Sequence, residues 1–316
     1  MNFNKYRKVK KCSYALIVLL AVLNCSCHRV KPQPQSPVDK PISFKSIANI
    51  PFTEVHRRLY TGLSFDKNGY QAEPSYKITF LTNDSATIYS PAKKRFFNFL
   101  VFMEKDSIFD VAGSFFKLMY MNKDSLKLQV LEVESDTAHL TRSLVYMTFY
   151  ANNYIKNVLH TDAATLGRPN RRDTVFIKNK SEIANKIPDS AFAARQPVTI
   201  TSKSPLVTVQ NKTEVQDGLN EFDADDAYMS PEFDININKA YENFSYSFVI
   251  FVDDKGQMIF DRSIDYIMPE YKASTIQTLK GIIDGYLKFY LSVTPGSTLG
   301  IRHTSIVILN VVGRKG

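Results

Sequence analysis

From Phe44 to Ala151, apolar and polar residues alternate with a period of two, interrupted at short intervals by turn formers. Tyr76-Lys77-Ile78-Thr79-Phe80 is typical: its apolar side chains share one face and Lys77 and Thr79 share the other, as a strand with one buried and one wet face demands. The pattern predicts strands at Leu59–Phe65, Tyr76–Leu81, Ala86–Tyr89, Phe97–Met103, Ser107–Val111, Phe115–Met121, Leu126–Val133 and Leu144–Tyr150. Between them, Asp66-Lys-Asn-Gly69, Asn83-Asp84-Ser85, Glu104-Lys-Asp106 and Asn122-Lys-Asp124 supply residues that tolerate tight turns. Eight short strands so spaced predict an antiparallel meander closed, or nearly closed, into a barrel.

Residues 152–229 are less regular and read as a connector. Ser181–Ile187 and Asp189–Arg195 are candidate short helices, and Val198–Thr201 and Leu206–Val209 a candidate hairpin. From residue 230 the signal strengthens. Tyr246–Val252, the turn Asp253-Asp254-Lys255-Gly256 and Met258–Ile264 predict a hairpin. Pro269 and Glu270 open a helix with Ile276, Leu279, Ile283, Tyr286, Leu287 and Tyr290 on its buried stripe. Gly281 and Gly285, four apart in this helix, would let it approach the sheet closely, and Thr304–Val312 reads as a closing strand. The expected class is α+β, predominantly β, with an N-terminal barrel and a C-terminal ββαβ module.

Two resemblances follow. YKITFLTND, KDSIFDVAGSFFKLMYM and NKDSLKLQV give the first region a strand–turn–strand rhythm that resembles the lipocalin-like domains of lipoproteins from Bacteroidetes-type bacteria; the tryptophan such domains often carry is absent, since the chain has none. The Asp-Asp-Lys-Gly hairpin, the long helix and Pro295-Gly296-x-x-x-Gly300 before the last strand resemble the C-terminal domain of TonB-type proteins. That resemblance implies a fold and not energy transduction, which needs a membrane helix engaged with motor proteins.

All three cysteines, Cys12, Cys25 and Cys27, stand in the first 27 residues. Lys5, Arg7, Lys8, Lys10 and Lys11 precede an apolar run, Ser13–Leu23, too short to span a bilayer comfortably. Leu23-Asn24-Cys25-Ser26-Cys27 then resembles a lipobox, which implies that the cysteine is acylated and becomes the new N-terminus. Cys27, preceded by small Ser26, is the favoured attachment point, with Cys25 the alternative. His28–Pro41, with four prolines, reads as a tether. The expected organisation is a signal peptide at 1–26, a tether at 27–43, a β domain at 44–151, a connector at 152–229 and an α+β domain at 230–316. Export would remove five cations, so the formal +9 of the whole chain becomes +4, from 35 Lys and Arg against 31 Asp and Glu. Lys93-Lys94-Arg95 and the Arg168–Arg172 cluster read as solvated loop charge, and nucleic acid is not an expected partner.

Candidate chemistry is sparse. His28, His56, His139, His160 and His303 show no metal-ligand spacing, and His56 beside Arg57 and Arg58 reads as a surface residue. There is no Gly-x-Ser-x-Gly elbow and no Gly-rich phosphate loop, so neither catalytic residues nor a cofactor nor a metal is assigned. Glu221, Asp223, Asp225 and Asp226, with Asp234 nearby, lack the glycine turn of a calcium loop and read as an acidic connector. Phe97, Phe99, Val101, Phe115, Tyr120 and Leu128 could line an apolar barrel cavity or fill a closed core. Asp followed by Ser or Thr and an aliphatic residue recurs at Ser85, Ser107, Ser125, Thr137, Thr174 and Ser190. It resembles a Bacteroidetes-type O-glycosylation sequon, and it equally makes a good turn into a strand. The expected protein is a non-enzymatic envelope lipoprotein, anchored in the outer membrane and facing the periplasm, that contacts a protein partner through its C-terminal domain. The alternatives are a carrier of an apolar small molecule and an envelope hydrolase.

Overall fold

The computed structural model describes residues 42–91, 93–104, 107–133, 140–212 and 227–316, all within one compact unit. The expected signal peptide, the tether through Pro41, both candidate lipid-attachment cysteines, Thr137 and the acidic run 221–226 lie outside them. The protein is predominantly β.

Strands β1 (Phe52–Leu59), β2 (Lys77–Phe80), β3 (Ser85–Ser90), β4 (Arg95–Met103), β5 (Ile108–Val111), β6 (Ser114–Met121), β7 (Ser125–Val133) and β8 (Leu140–Ala151) pair antiparallel in sequence order. β8 returns to β1, from Phe52↔Ala151 to Leu59↔Val145, so the sheet closes into a barrel without free edges. One end is filled: Phe44 of the entering chain stacks on Phe80 at 3.8 Å, and both rings meet Phe109 edge-on. Phe52, Ile78, Ile88, Leu126, Leu128 and Phe149 complete this core.

The first strand lies at Phe52–Leu59, not at Leu59–Phe65 as the pattern predicts. Its sequence, FTEVHRRL, looks like a surface segment because five of its eight residues are polar or charged, yet Glu54 and Arg57 point into the barrel. Residues 60–76 instead form a long loop whose Phe65 packs outside the barrel.

Three helices follow: α1 (Asn152–Asn157), α2 (Ala163–Leu166) and α3 (Arg171–Lys186). α3 starts ten residues before the expected Ser181 and absorbs that segment, while Asp189–Arg195 forms only a short 3-10 turn and then extended chain. The cause is the start signal at Asn170. Its side chain accepts from Arg172 N and Asp173 N, and the Asp173 carboxylate accepts from Asn170 N, a reciprocal cap. Ile177 and Ala184 of α3 pack with Phe65 and Phe192 in a small core between barrel and C-terminal region.

The C-terminal region is larger than a ββαβ unit. β9 (Thr199–Ser202) pairs with β14 (Leu291–Thr294), and β10 (Val207–Asn211) with β11 (Glu232–Ala240), so the expected 198–209 hairpin does not form. The main sheet runs β10-β11-β17-β12-β13, with β12 at Phe244–Val252, β13 at Met258–Ser263 and β17 at Ser305–Lys315. β11 and β17 are parallel, and the other neighbours are antiparallel. Val198, Ile200 and Val207 share one core with Phe248, Ile250, Leu309 and Val311, so this core begins ahead of residue 230.

Helix α4 (Lys272–Ile282) continues through a π turn at Ile283–Leu287 and covers the sheet with Leu279, Ile282, Ile283 and Leu287. Gly281 and Gly285 are exposed and an added Cβ would meet nothing, so they do not serve a close approach to the sheet. Small β15 (Ser297–Thr298) and β16 (Ile301–Arg302) form a hairpin before β17.

The 60–76 loop bolts the two regions together. Gly69 has φ +96, and a Cβ there would lie 2.2 Å from Ala193 O. Arg195 donates to both Glu73 carboxylate oxygens at 3.1 and 2.9 Å, and its guanidinium lies 4.6 Å from the Tyr228 ring centroid. Tyr228 Oη in turn accepts from Gln71 N at 2.7 Å.

Candidate functional site at the barrel mouth

Among the described residues, the end of the barrel opposite the phenylalanine cluster is open. A cavity of ≈ 310 Å³ there is lined by Arg57, Tyr70, Tyr76, Ser114, Phe116, Val130, Glu132, Val145 and Met147. Arg57 of this lining belongs to an ion pair. Arg57 Nε donates to Glu54 Oε1 at 2.9 Å and Nη2 to Oε2 at 2.7 Å, and the Glu54 side chain is wholly buried.

Residues three apart on a regular strand face opposite ways. Here the β1–β8 register slips between Glu54 and His56, placing Glu54 opposite Phe149 and Arg57 opposite Met147, both inward positions. The bulge therefore turns both charges into the barrel. Glu54 Oε2 also accepts from Ser75 N at 2.9 Å and Tyr76 N at 3.0 Å, fixing the loop that brings Tyr76 to the mouth. Burial disfavours the Arg57 charge, but the hydrogen bond and charge of Glu54 outweigh it and hold the guanidinium above its ordinary value. The Arg57 guanidinium stands 5.3 Å from the centroid of the Tyr76 ring. An apolar floor of Phe116, Val130, Val145 and Met147 thus faces a cation and two phenols, the mixture small-molecule sites use to bind and orient a ligand.

Of the residues expected to line an apolar cavity, Leu128 and Val101 are buried in the filled core, and Phe99 packs against it. Phe97 is half-buried beneath Lys93 and Arg95 at the mouth-side end of β4. Phe115 and Tyr120 belong to the other face: Phe116 takes the inward position, and a bulge after Leu118 leaves Tyr120 half-exposed outside. None of the six lines the cavity. Sequence reasoning missed Arg57, Tyr70 and Tyr76 because nothing in the local pattern distinguishes a charge aimed into a barrel from one aimed at water.

Of the serines and threonines in the Asp-Ser/Thr pattern, Ser85 and Ser125 open β3 and β7 after turns. Ser107 sits in a turn with φ +64, and Ser190 in the 3-10 turn after α3. Thr174 is exposed on α3, but the preceding Asp173 is wholly buried and serves the helix cap, the Arg58 guanidinium and Ser64 N.

His56 is half-buried and not a surface residue; burial, then the nearby Arg58 charge, lower its pKa against the opposing pull of Asp173. His303 is wholly buried, stacked 3.7 Å from Phe192. Its Nδ1 lies 3.1 Å from Thr304 O, which can only accept, so Nδ1 carries the proton and Nε2 accepts from Thr298 Oγ1 at 3.0 Å. Burial pushes its pKa down to about 4, keeping the ring neutral. It locks the small core under α3 and lines no cavity of the barrel. No protein-family model matches the chain, and no curated protein matches it either.

Proposed function

We propose that the protein is a non-enzymatic binding protein of the bacterial envelope, tethered by an acylated Cys27, whose barrel mouth receives a small amphipathic ligand. The observation carrying this reading is the buried Glu54–Arg57 pair beneath an open, mainly apolar cavity. A buried ion pair contributes little to stability compared with an apolar replacement. Its placement by a bulge at the mouth of the barrel fits a site better than a core. The eight-stranded meander supports the lipocalin-like reading. The filled far end restricts the ligand: Phe44, Phe80 and Phe109 occupy the depth that a long acyl chain would need. A compact ring or short branched group with an acceptor-rich head fits instead.

The test is native mass spectrometry of protein purified from its own membranes, alongside a Val145→Trp variant that fills the mouth. A bound mass present in the parent and lost in the variant, with the melting temperature unchanged, supports the site. A parent carrying no small molecule, and gaining none from a membrane extract, would sink it. Intact mass at the N-terminus tests the anchor separately: acyl groups on Cys27 are expected.

A second reading, a protein partner on the C-terminal region, is favoured by strand β13. It ends the sheet, and Ile259, Ile264, Tyr266, Met268 and Tyr271 are exposed along and after it. Edge strands accept a partner strand by β-augmentation, and the hairpin–helix–strand order agrees with the TonB C-terminal-like reading. If it holds, Ile259→Lys should remove co-purifying envelope proteins without unfolding the chain.

A further inference from the structure

β4 alternates between two sets of large apolar side chains. Phe99 and Val101 point into the barrel core, while Phe96, Leu100 and Phe102 stand on its outer face at 55%, 64% and 56% exposure. Met103, Met119 and Tyr120 extend the exposed set around the end of the barrel. An apolar strip of this extent on a closed barrel marks a contact surface.

Two observations identify what it contacts. The first is charge. The β3–β4 hairpin presents Lys93, Lys94 and Arg95, all exposed, immediately before Phe96. Arg95 lies 4.4 Å from the Phe97 centroid, and Lys77 lies 4.7 Å from that of Tyr89, whose ring meets Phe96 at 5.2 Å. Cations interleaved with aromatic rings suit the boundary between anionic headgroups and acyl chains.

The second observation is where the chain enters. Phe44 N donates to Asn83 Oδ1 at 2.9 Å in the β2–β3 turn, and Asp84 O of that turn accepts from Val101 N at 2.8 Å. The described chain therefore begins, at residue 42, close to the turn that abuts the end of β4 carrying Leu100 and Phe102. Residues 28–41 can reach about 40 Å as an extended proline-rich chain, enough to let this strip lie on the surface that holds the anchor.

We infer that the outer face of β4, from Lys93 to Met103, docks the barrel onto an anionic phospholipid surface, cations on headgroups and Phe96, Leu100 and Phe102 in the interface. The inference rests on the anchored reading for its orientation. Anions on this side, Asp84, Glu104 and Asp124, lie toward the tether end and the cationic triplet at the other, so attraction is concentrated at the hairpin tip. Asp110, cross-strand from Phe102 and Phe115 on the same face, is a single carboxylate set against the three cations of the hairpin tip.

All three core clusters lie between Phe44 and Val311, so a chain starting at His28 keeps them whole and lacks the acyl anchor. Its co-sedimentation with phosphatidylcholine vesicles carrying about 30 mol % phosphatidylglycerol should exceed that with phosphatidylcholine alone by roughly tenfold or more, and should fall with salt. Lys93→Glu with Lys94→Glu should abolish the preference. Phe96→Ser with Leu100→Ser and Phe102→Ser should abolish binding with an unchanged melting temperature, because all three are exposed. Equal partition into both vesicles, or variants that bind as the parent does, would overturn the inference. So would self-association without vesicles that the serine variant abolishes, which would assign the strip to a second copy. None of these outcomes bears on the acyl mass at Cys27, so failure here and failure of the anchor reading are told apart.

Discussion

The barrel and the C-terminal sheet handle strand edges in opposite ways. In the barrel β8 returns to β1 and every strand has two neighbours, so the backbone is satisfied without help from outside. Interior positions near the mouth can then hold charges such as Glu54 and Arg57. The five-stranded sheet leaves β10 and β13 as edges, and among its described strand residues the buried polar group is an uncharged one, Ser305 at the start of β17. Closure places the specific chemistry inside the barrel, and openness places it along the rim of the sheet. The loop around Gly69 and the Arg195–Glu73–Tyr228 contacts join the two, so they should respond to perturbation as one cooperative unit.

The strongest way to break that picture is Arg57→Leu. It strands a wholly buried carboxylate and should cost about 3–5 kcal/mol in urea unfolding followed by circular dichroism, whereas Glu54→Leu with Arg57→Leu should cost far less. Both should shift a single transition; two separate transitions would show that the barrel and sheet melt independently.

The junction gives the next largest effect, through pH. An unfolded His303 takes its proton near 6.5 and the folded one only near about 4, so between those values the unfolded chain binds more protons. Stability from this residue is complete above about pH 6.5 and declines as pH falls toward 4, by up to about 3 kcal/mol. His303→Leu should flatten that slope, at a cost at neutral pH because the Thr298 hydroxyl loses its acceptor and the Thr304 carbonyl its ring donor. A slope identical in the variant removes His303 as its source.

Smaller changes sharpen the comparison along the helices. Asn170→Ala removes the cap of α3 and should cost about 1 kcal/mol, read as a lower urea midpoint at unchanged slope. Gly281→Ala in α4 has the opposite sign. Its added methyl meets nothing, so a gain of up to about 1 kcal/mol in the same assay is expected, and a loss would mean that the glycine has a contact partner in solution.

The sequence was legible wherever one periodicity ruled. Seven of the eight barrel strands, the β12–β13 hairpin, the α4 stripe and the closing strand follow alternation or helical spacing, because each buries one continuous apolar face. It was opaque where burial is polar. β1 was hidden by its charges, and the start of α3 by a reciprocal cap whose second member, Asp173, is held by Arg58 and Ser64 far away in the chain. The site fared worst. The parity of β6 reversed Phe115 and Phe116, and the bulge that aims Arg57 inward leaves no mark in composition.

The position of β17 has a consequence in time. Strands β1 to β7 each find a partner in the next strand of the sequence, so the barrel can zip progressively as the chain emerges and needs only β8 to seal it. β17, by contrast, lies between β11 and β12, which emerge long before it. Until residues 305–315 are released, the flanks of β11 and β12 that face this gap stay bare. Any factor that shields a nascent chain would have to act on this half of the molecule, and a brake on synthesis before Ser305 would lengthen its exposure most.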